Sequence, residues 1–294
     1  MSVFRVDNLS NAINNVLNDD NNPKNFKEMK INDLDDLGYK RQIVTYYEMD
    51  RTKRNYAIIF NHENYDENFL EPSFRRNGTN LDCENLTDAL KGLSFDVHVY
   101  QDYTHKSIVE KLQEVAKMDH TQHNCLLIVV MTHGDLGTLD AYDTPYYADT
   151  IWLNFTPNRC PTLAGKPKLF FIQACQGKQT DSGSPLVERT VIDGSTFNYN
   201  SFHIGTDVLV AYATIAGYFA WRNGYGSWFI RILSHELREH GTTDNILTIL
   251  TNVIRYIAIN FQSNTPDKPE LDKKKQLPCI MSKLTKLLKF YPKN

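Results

Sequence analysis

Two reactive side chains each stand just past the end of an apolar run. His133 follows Cys125-Leu126-Leu127-Ile128-Val129-Val130-Met131-Thr132, and Cys175 follows Lys168-Leu169-Phe170-Phe171-Ile172-Gln173-Ala174. A free thiol is only a few per cent thiolate near neutral pH, but the thiolate is a strong nucleophile. An imidazole that takes its proton and later delivers it to a leaving group completes covalent acyl-transfer chemistry. Short β-branched and aromatic runs of this kind read as buried strands of a parallel sheet. Ligands and chemistry in such sheets lie beyond the carboxyl ends of the strands. The pattern therefore predicts that thiol and imidazole meet at one edge of one sheet.

The remaining composition narrows the class. The chain has 294 residues, 41% apolar and 23% charged, as a globular protein does. A net charge of −3 and a pI near 6.3 argue against a nucleic-acid partner. No apolar run is long enough to span a membrane, and Met1-Ser2-Val3-Phe4-Arg5-Val6-Asp7 is not a signal peptide, so a cytoplasmic protein is expected. Five scattered cysteines fit reduced intracellular thiols better than a disulfide framework. Cys and His do not cluster at zinc spacings, and no G-x-G-x-x-G or G-x-x-x-x-G-K-[ST] follows a strand, so neither metal nor cofactor is expected. The histidines other than His133 read as surface residues.

Along the chain, the Asn- and Asp-rich residues 1–36 read as a flexible extension. Strands are predicted near 56–60 and 95–100. Helices are predicted over 83–93, capped by Asp82, and over 104–118, with Ile108, Leu112 and Val115 on one face. Residues 134–167 read as irregular. Gly177, Gly183, Pro185 and Gly194 mark a linker over about 176–206. A strand at 207–213, helices at 227–239 and 244–260, a polar loop at 262–275 and a last strand at 278–281 complete an α/β fold with a mostly parallel sheet.

Gln173-Ala174-Cys175-Gln176-Gly177 is the pentapeptide that marks caspases, and His133 lies 42 residues upstream, close to that family's offset. Tyr47-Glu48-Met49-Asp50, Arg76-Asn77-Gly78-Thr79, Thr132-His133-Gly134-Asp135, Gly217-Tyr218-Phe219-Ala220-Trp221-Arg222-Asn223 and Gly226-Ser227-Trp228-Phe229 follow the family's order. From about Tyr46 to Tyr291 the chain thus resembles an executioner-type caspase with a short prodomain, with a linker length that favours an arthropod member. The resemblance implies a caspase-like three-layer sandwich with a mostly parallel six-stranded sheet and helices on both faces.

It also implies cleavage after aspartate in apoptosis. Cys175 would be the nucleophile and His133 its acid–base partner, oriented by a backbone carbonyl. The N–H groups of Gly134 and Cys175 would form the oxyanion hole, Gly134 being suited because no Cβ blocks the approach to the carbonyl. Arg76 and Arg222 would grip the aspartate carboxylate as bidentate guanidinium groups, with Gln173 as the pocket amide. Phe219, Trp221, Asn223 and Trp228 would line the neighbouring subsites. In the 262–275 loop, Asn264 and Pro266 replace an aromatic pair seen in some executioner members, so a strict distal aspartate preference is not expected. The zymogen would be cut at Asp193, with Asp181 as a second site, giving a large subunit (37–193) and a small one (194–294); Asp36 would release the prodomain. Expected partners are protein substrates with exposed Asp-containing loops, a second processed copy in a homodimer, an upstream activating caspase and inhibitor-of-apoptosis-type proteins, with no nucleic acid or membrane. The alternative is a catalytically weak caspase-like regulator that acts by dimerising with an active caspase.

Overall fold

In the computed structural model, residues 45–182 and 205–292 are described. Six strands make the central sheet: β1 (Arg54–Asn61), β2 (Phe95–Gln101), β3 (His123–Met131), β7 (Lys168–Gln173), β8 (Val208–Tyr212) and β11 (Cys279–Ser282). Their order is β11-β8-β7-β3-β1-β2. All pairings are parallel except β8 with β11, which is antiparallel and closes one edge. β1, β3 and β7 are buried almost throughout because both faces of the sheet are covered, which is why their sequences are continuous apolar runs rather than alternating ones.

Period-two geometry sends alternate residues to two cores. Ala57, Ile59, Leu127, Val129, Leu169 and Phe171 face α1 (Thr79–Gly92), α3 (Trp228–His240) and α4 (Ile246–Asn260). Tyr56, Ile58, Phe60, Leu126, Ile128, Phe170 and Ile172 face α2 (His105–Lys117) and the 3-10 turns around Trp152 and Phe155. The three layers are therefore helix, sheet and helix, as expected. Each of these fully buried aliphatic or aromatic side chains contributes about 1.5–3 kcal/mol relative to exposure.

Local signals set the helix ends. Thr104 caps α2, its hydroxyl accepting from the Ser107 N–H at 3.2 Å. Asn245, one residue past the expected start at 244, caps α4 by accepting from Leu247 and Thr248 N–H, both at 3.1 Å. Asp82 does not cap α1; the helix starts at Thr79, and Asp82 is buried inside it. Its Oδ2 accepts from the Ser227 N–H at 2.8 Å, so a tertiary partner and not the helix end claims the carboxylate.

The 134–167 stretch is not irregular throughout. Three short antiparallel strands, β4 (Gly134–Asp135), β5 (Thr138–Asp140) and β6 (Pro145–Tyr147), form a second small sheet, followed by 3-10 turns. A two-stranded hairpin, β9 (Arg222–Asn223) with β10 (Gly226–Ser227), leads directly into α3. Strands of two or three residues carry too little periodicity to be read from sequence. His62 and His120 are fully buried rather than superficial: His62 lies just past β1, and His120 hydrogen-bonds the Val115 carbonyl at 2.7 Å.

Candidate active site

The register of the sheet brings the two reactive side chains together. Met131 of β3 pairs with Gln173 of β7, and the Thr132 N–H donates to the Gln173 carbonyl at 3.0 Å. His133 and Cys175 each follow that pair by two residues, so both leave the sheet at the same height. They line one cavity of about 220 Å³ with Arg76, Thr132, Gln173, Ala174, Phe219, Ala220, Trp221, Arg222 and Leu271.

The imidazole is held through one nitrogen. His133 Nε2 lies 2.6 Å from the Phe74 carbonyl. A carbonyl only accepts, so Nε2 carries the proton and Nδ1 of the neutral ring keeps its lone pair. Phe74 is the orienting carbonyl for which the sequence offered no candidate. Burial, and then the Arg76 guanidinium, hold the His133 pKa down to about 4.

The Cys175 thiol is pushed up by burial, against the Ala220 N–H and the two guanidiniums, which pull it down. Both shifts favour a neutral thiol beside a neutral imidazole at rest. The thiol touches the Ala220 main chain, with the Ala220 N–H 3.4 Å from Sγ and Sγ 3.8 Å from the Ala220 carbonyl. No acceptor among the described residues engages the Cys175 N–H.

Two glycines are set by crowding. Gly177 has φ +138°, and a Cβ there would lie 2.5 Å from the Gly217 carbonyl oxygen. That close approach lets the segment after the nucleophile pair with the cleft wall, through Gln176 N–H to Tyr218 O (3.0 Å) and Phe219 N–H to Gln179 O (3.0 Å). A Cβ on Gly134 would lie 2.6 Å from the Thr138 carbonyl oxygen and 3.2 Å from that of Cys175. The close turn into β5 therefore demands glycine here; the expected reason was clearance for an incoming carbonyl.

Neither arginine touches a carboxylate among the described residues, although Asp82 acts on both from farther off. Arg76 is 2% exposed, and its Nη1 donates to the His62 carbonyl (2.7 Å) and Thr79 Oγ1 (2.8 Å). Arg222 Nη1 donates to the Asn77 carbonyl. Among the described residues neither guanidinium makes an ion pair. The Arg222 pKa falls to about 10, from burial first and Arg76 second. Gln173 Oε1 is buried with no hydrogen-bond partner. Two guanidiniums and an amide line this one cavity, and the Asp82 carboxylate, itself pushed up to about 6 by burial, offsets their charge only in part, which is costly unless an anion arrives.

A caspase-domain family model matches residues 54–289. Caspase-1 of Spodoptera frugiperda is 48% identical over 246 residues, 83% of this chain and 81% of that protein. The chain belongs to the caspase family. Caspase drICE of Drosophila melanogaster is 44% identical, covering 84% of this chain and 73% of that protein, and caspase-3 of Bos taurus is 36% identical, covering 83% and 87%. The crystal structure of the Spodoptera frugiperda caspase-1 superposes with a TM-score of 0.76 at 45% identity, covering 87% of this chain and 96% of that one. The insect proteins are more similar to this chain than the bovine one is, as the executioner-type, arthropod expectation requires. Membership makes the chain an Asp-specific cysteine endopeptidase of apoptosis.

Two of the expected subsite residues are not among those lining this cavity. Trp228 does not line the cavity. It is 6% exposed, stacks on Trp221 with ring centres 6.1 Å apart and packs on Phe261 at 5.0 Å, so it backs the wall from the core. Asn223 is exposed at the hairpin, where its Oδ1 accepts from the Tyr225 N–H at 2.9 Å, and it too lies outside the cavity. Phe219 and Trp221 do line it. Thr132 and Leu271 line it as well and escaped the sequence reading. Asp193 and Asp36 lie outside the described residues; Asp181 is described, and its carbonyl accepts from the Lys275 N–H at 2.7 Å. No helix among the described residues is long and apolar enough to cross a membrane.

Proposed function

We propose that Cys175 and His133 hydrolyse the peptide bond after an aspartate whose carboxylate is bound by Arg76, Arg222 and Gln173. The observation that carries this reading is a pair of guanidiniums without an ion pair among the described residues, in the same cavity as a thiol and a singly anchored imidazole. As Sγ attacks the scissile carbonyl, its proton passes to His133 Nδ1. The oxyanion is received by the Cys175 and Gly134 N–H groups. The imidazolium then protonates the departing amine, Sγ remains acylated, and a water deprotonated by Nδ1 releases the acid and restores the thiol. The substrate would lie against the Tyr218–Arg222 wall as an added strand.

The cavity is smaller than the roughly 300 Å³ at which ligand pockets begin, and the Ala220 main chain sits against the thiol. We read this as the uncut zymogen. Residues 176–179 are stitched to 217–219, and Asp181 is held by Lys275, with Lys274 Nζ 2.9 Å from Ser182 Oγ. A protease needs its target extended and free, so the Lys275 contact makes Asp181 the poorer processing site, and Asp193 stays preferred for its mid-linker place in the sequence. Cleavage there would give subunits 37–193 and 194–294, with prodomain loss at Asp36. The cut form would dimerise across β11, act in the cytoplasm, follow an upstream caspase and be restrained by inhibitor-of-apoptosis-type proteins. Nothing favours the non-catalytic regulator, since thiol, imidazole and both guanidiniums are retained.

The test compares fluorogenic tetrapeptides ending in Asp, Asn and Glu on wild type, Cys175→Ala and His133→Ala, with intact-mass analysis of the active preparation. Turnover confined to the Asp peptide and lost in both variants supports the reading; equal turnover of Asn, or survival in Cys175→Ala, rejects it. A mass boundary at Asp181 without one at Asp193 rejects the processing order.

A further inference from the structure

Tyr65 lies far from both strands in sequence, yet its hydroxyl is the hydrogen-bond acceptor of the catalytic imidazole's own peptide. The His133 N–H donates to Tyr65 Oη at 3.0 Å. Tyr65 Oη is 2.9 Å from Thr132 Oγ1, and Thr132 Oγ1 donates to the Asp140 carbonyl at 2.5 Å. The direction of this relay follows from the inventory of donors. A carbonyl only accepts, so the single proton of Thr132 goes to Asp140. The proton between the two hydroxyls therefore belongs to Tyr65. That leaves the lone pairs of Oη to receive the His133 N–H. Reversing the chain would take the Thr132 proton away from the Asp140 carbonyl.

The ring acts beside the hydroxyl. The Tyr65 ring packs on the His133 imidazole, with ring centres 5.3 Å apart and planes tilted by 36°, and on His62, stacked at 18° and 6.2 Å. The His62 carbonyl is the acceptor of Arg76 Nη1. The Phe74 ring also stands edge-on to the imidazole, at 87° with ring centres 6.0 Å apart. Tyr65 is 9% exposed, so these contacts are made away from bulk water, where an unpaired N–H is costly.

We propose that Tyr65 is a positioning residue for the proton-transfer step: its hydroxyl fixes the backbone of His133 through Thr132 and Asp140, and its ring holds the imidazole plane that the Phe74 carbonyl anchors by Nε2. The proposal rests on the catalytic reading of Cys175 and His133. It assigns Tyr65 to turnover and not to aspartate binding, because the relay ends on His133 and leaves the hydrogen bonds of Arg76 intact. A displacement near 1 Å in a catalytic group can cost up to about 10²-fold in rate, and loss of one of several tethers should cost less.

The test is Tyr65→Phe, which keeps the ring and deletes the relay. On the Asp tetrapeptide, kcat should fall about 10-fold with KM within about twofold of wild type. The same loss is expected in Thr132→Val, and no further loss in the Tyr65→Phe/Thr132→Val double variant, since one relay is broken either way. The pH profile of Cys175 alkylation by iodoacetamide, which needs no peptide turnover, should shift in Tyr65→Phe. If wild type fails to cleave the peptide, the catalytic reading falls, while the alkylation profile still decides the role of Tyr65. If Tyr65→Phe does not fold, Thr132→Val decides by the same kcat and alkylation readouts. A kcat within twofold of wild type, a change confined to KM, fully additive losses in the double variant, or superimposable alkylation profiles would each overturn the proposal.

Discussion

Replacing Arg76 with methionine should separate activity from stability. The guanidinium is buried, and its two donations go to His62 O (2.7 Å) and Thr79 Oγ1 (2.8 Å). Methionine leaves Thr79 satisfied, because its hydroxyl donates to Asn61 Oδ1 at 2.6 Å. The His62 carbonyl loses its partner, at about 1–3 kcal/mol. Against this, a buried charge without a direct ion pair disappears, a relief of several kcal/mol, and the depressed Arg222 loses its like-charged neighbour, although Asp82 loses a favourable one. The two effects offset, so the unfolding midpoint should hold or rise. Activity should not hold. Two charge-assisted bonds to the substrate carboxylate, at about 1.5–3 kcal/mol each, are worth about 3–6 kcal/mol, or ~10²–10⁴-fold in kcat/KM. The assay is kcat/KM on Asp and Asn tetrapeptides beside a denaturant titration. The Asp peptide should lose nearly all of its advantage. A loss under 10-fold, an equal loss on both peptides, or destabilisation beyond about 3 kcal/mol would refute the reasoning and make Arg76 a structural residue.

Two further outcomes follow from the same geometry. Stability should fall between pH 7 and pH 5: His62 and His133 are held down to about 4, and His120 and His123 are also lowered, each by burial first. The unfolded chain takes up those protons near the ordinary 6.5 and the folded chain does not, so stability is lost as pH drops through that window. Asp82 and Asp140, raised to about 6 by burial, oppose this between roughly 4 and 6, but they are two groups against four; a higher urea midpoint at pH 5 than at pH 7 would contradict the balance. Gly134→Ala must move β5 or the Cys175 main chain, because its Cβ meets the Thr138 carbonyl oxygen at 2.6 Å. It should lower kcat by about 10²–10³, as loss of an oxyanion donor does, with KM little changed; unchanged kcat would place the oxyanion elsewhere.

The catalytic edge was legible because two strands in register carry it. Apolar runs ending at Thr132 and Ala174 announce their own burial, and parallel pairing does the rest. Arg76 was legible only through Arg76-Asn77-Gly78-Thr79, since an arginine beside Arg75 otherwise reads as solvated. What escaped depends on contacts between distant segments. The Phe74 carbonyl lies 59 residues from His133, and Tyr65 lies 68 residues from it. Asp82 looked like a helix cap by type and position, but a partner 145 residues away had first claim on its carboxylate. Trp228 and Trp221 are equally aromatic; only packing decides which faces the cleft and which backs it. The short strands β4 to β6 are specified by close turns and not by periodicity.

The most direct measurement is covalent trapping of the native protein by a peptidyl-Asp fluoromethylketone, with the adduct mapped by mass spectrometry. The account predicts one label per chain, on Cys175 among the five cysteines, formed far faster than with the Asn analogue and lost in Arg76→Met. A label on another cysteine, or equal rates for the Asp and Asn reagents, would contradict it.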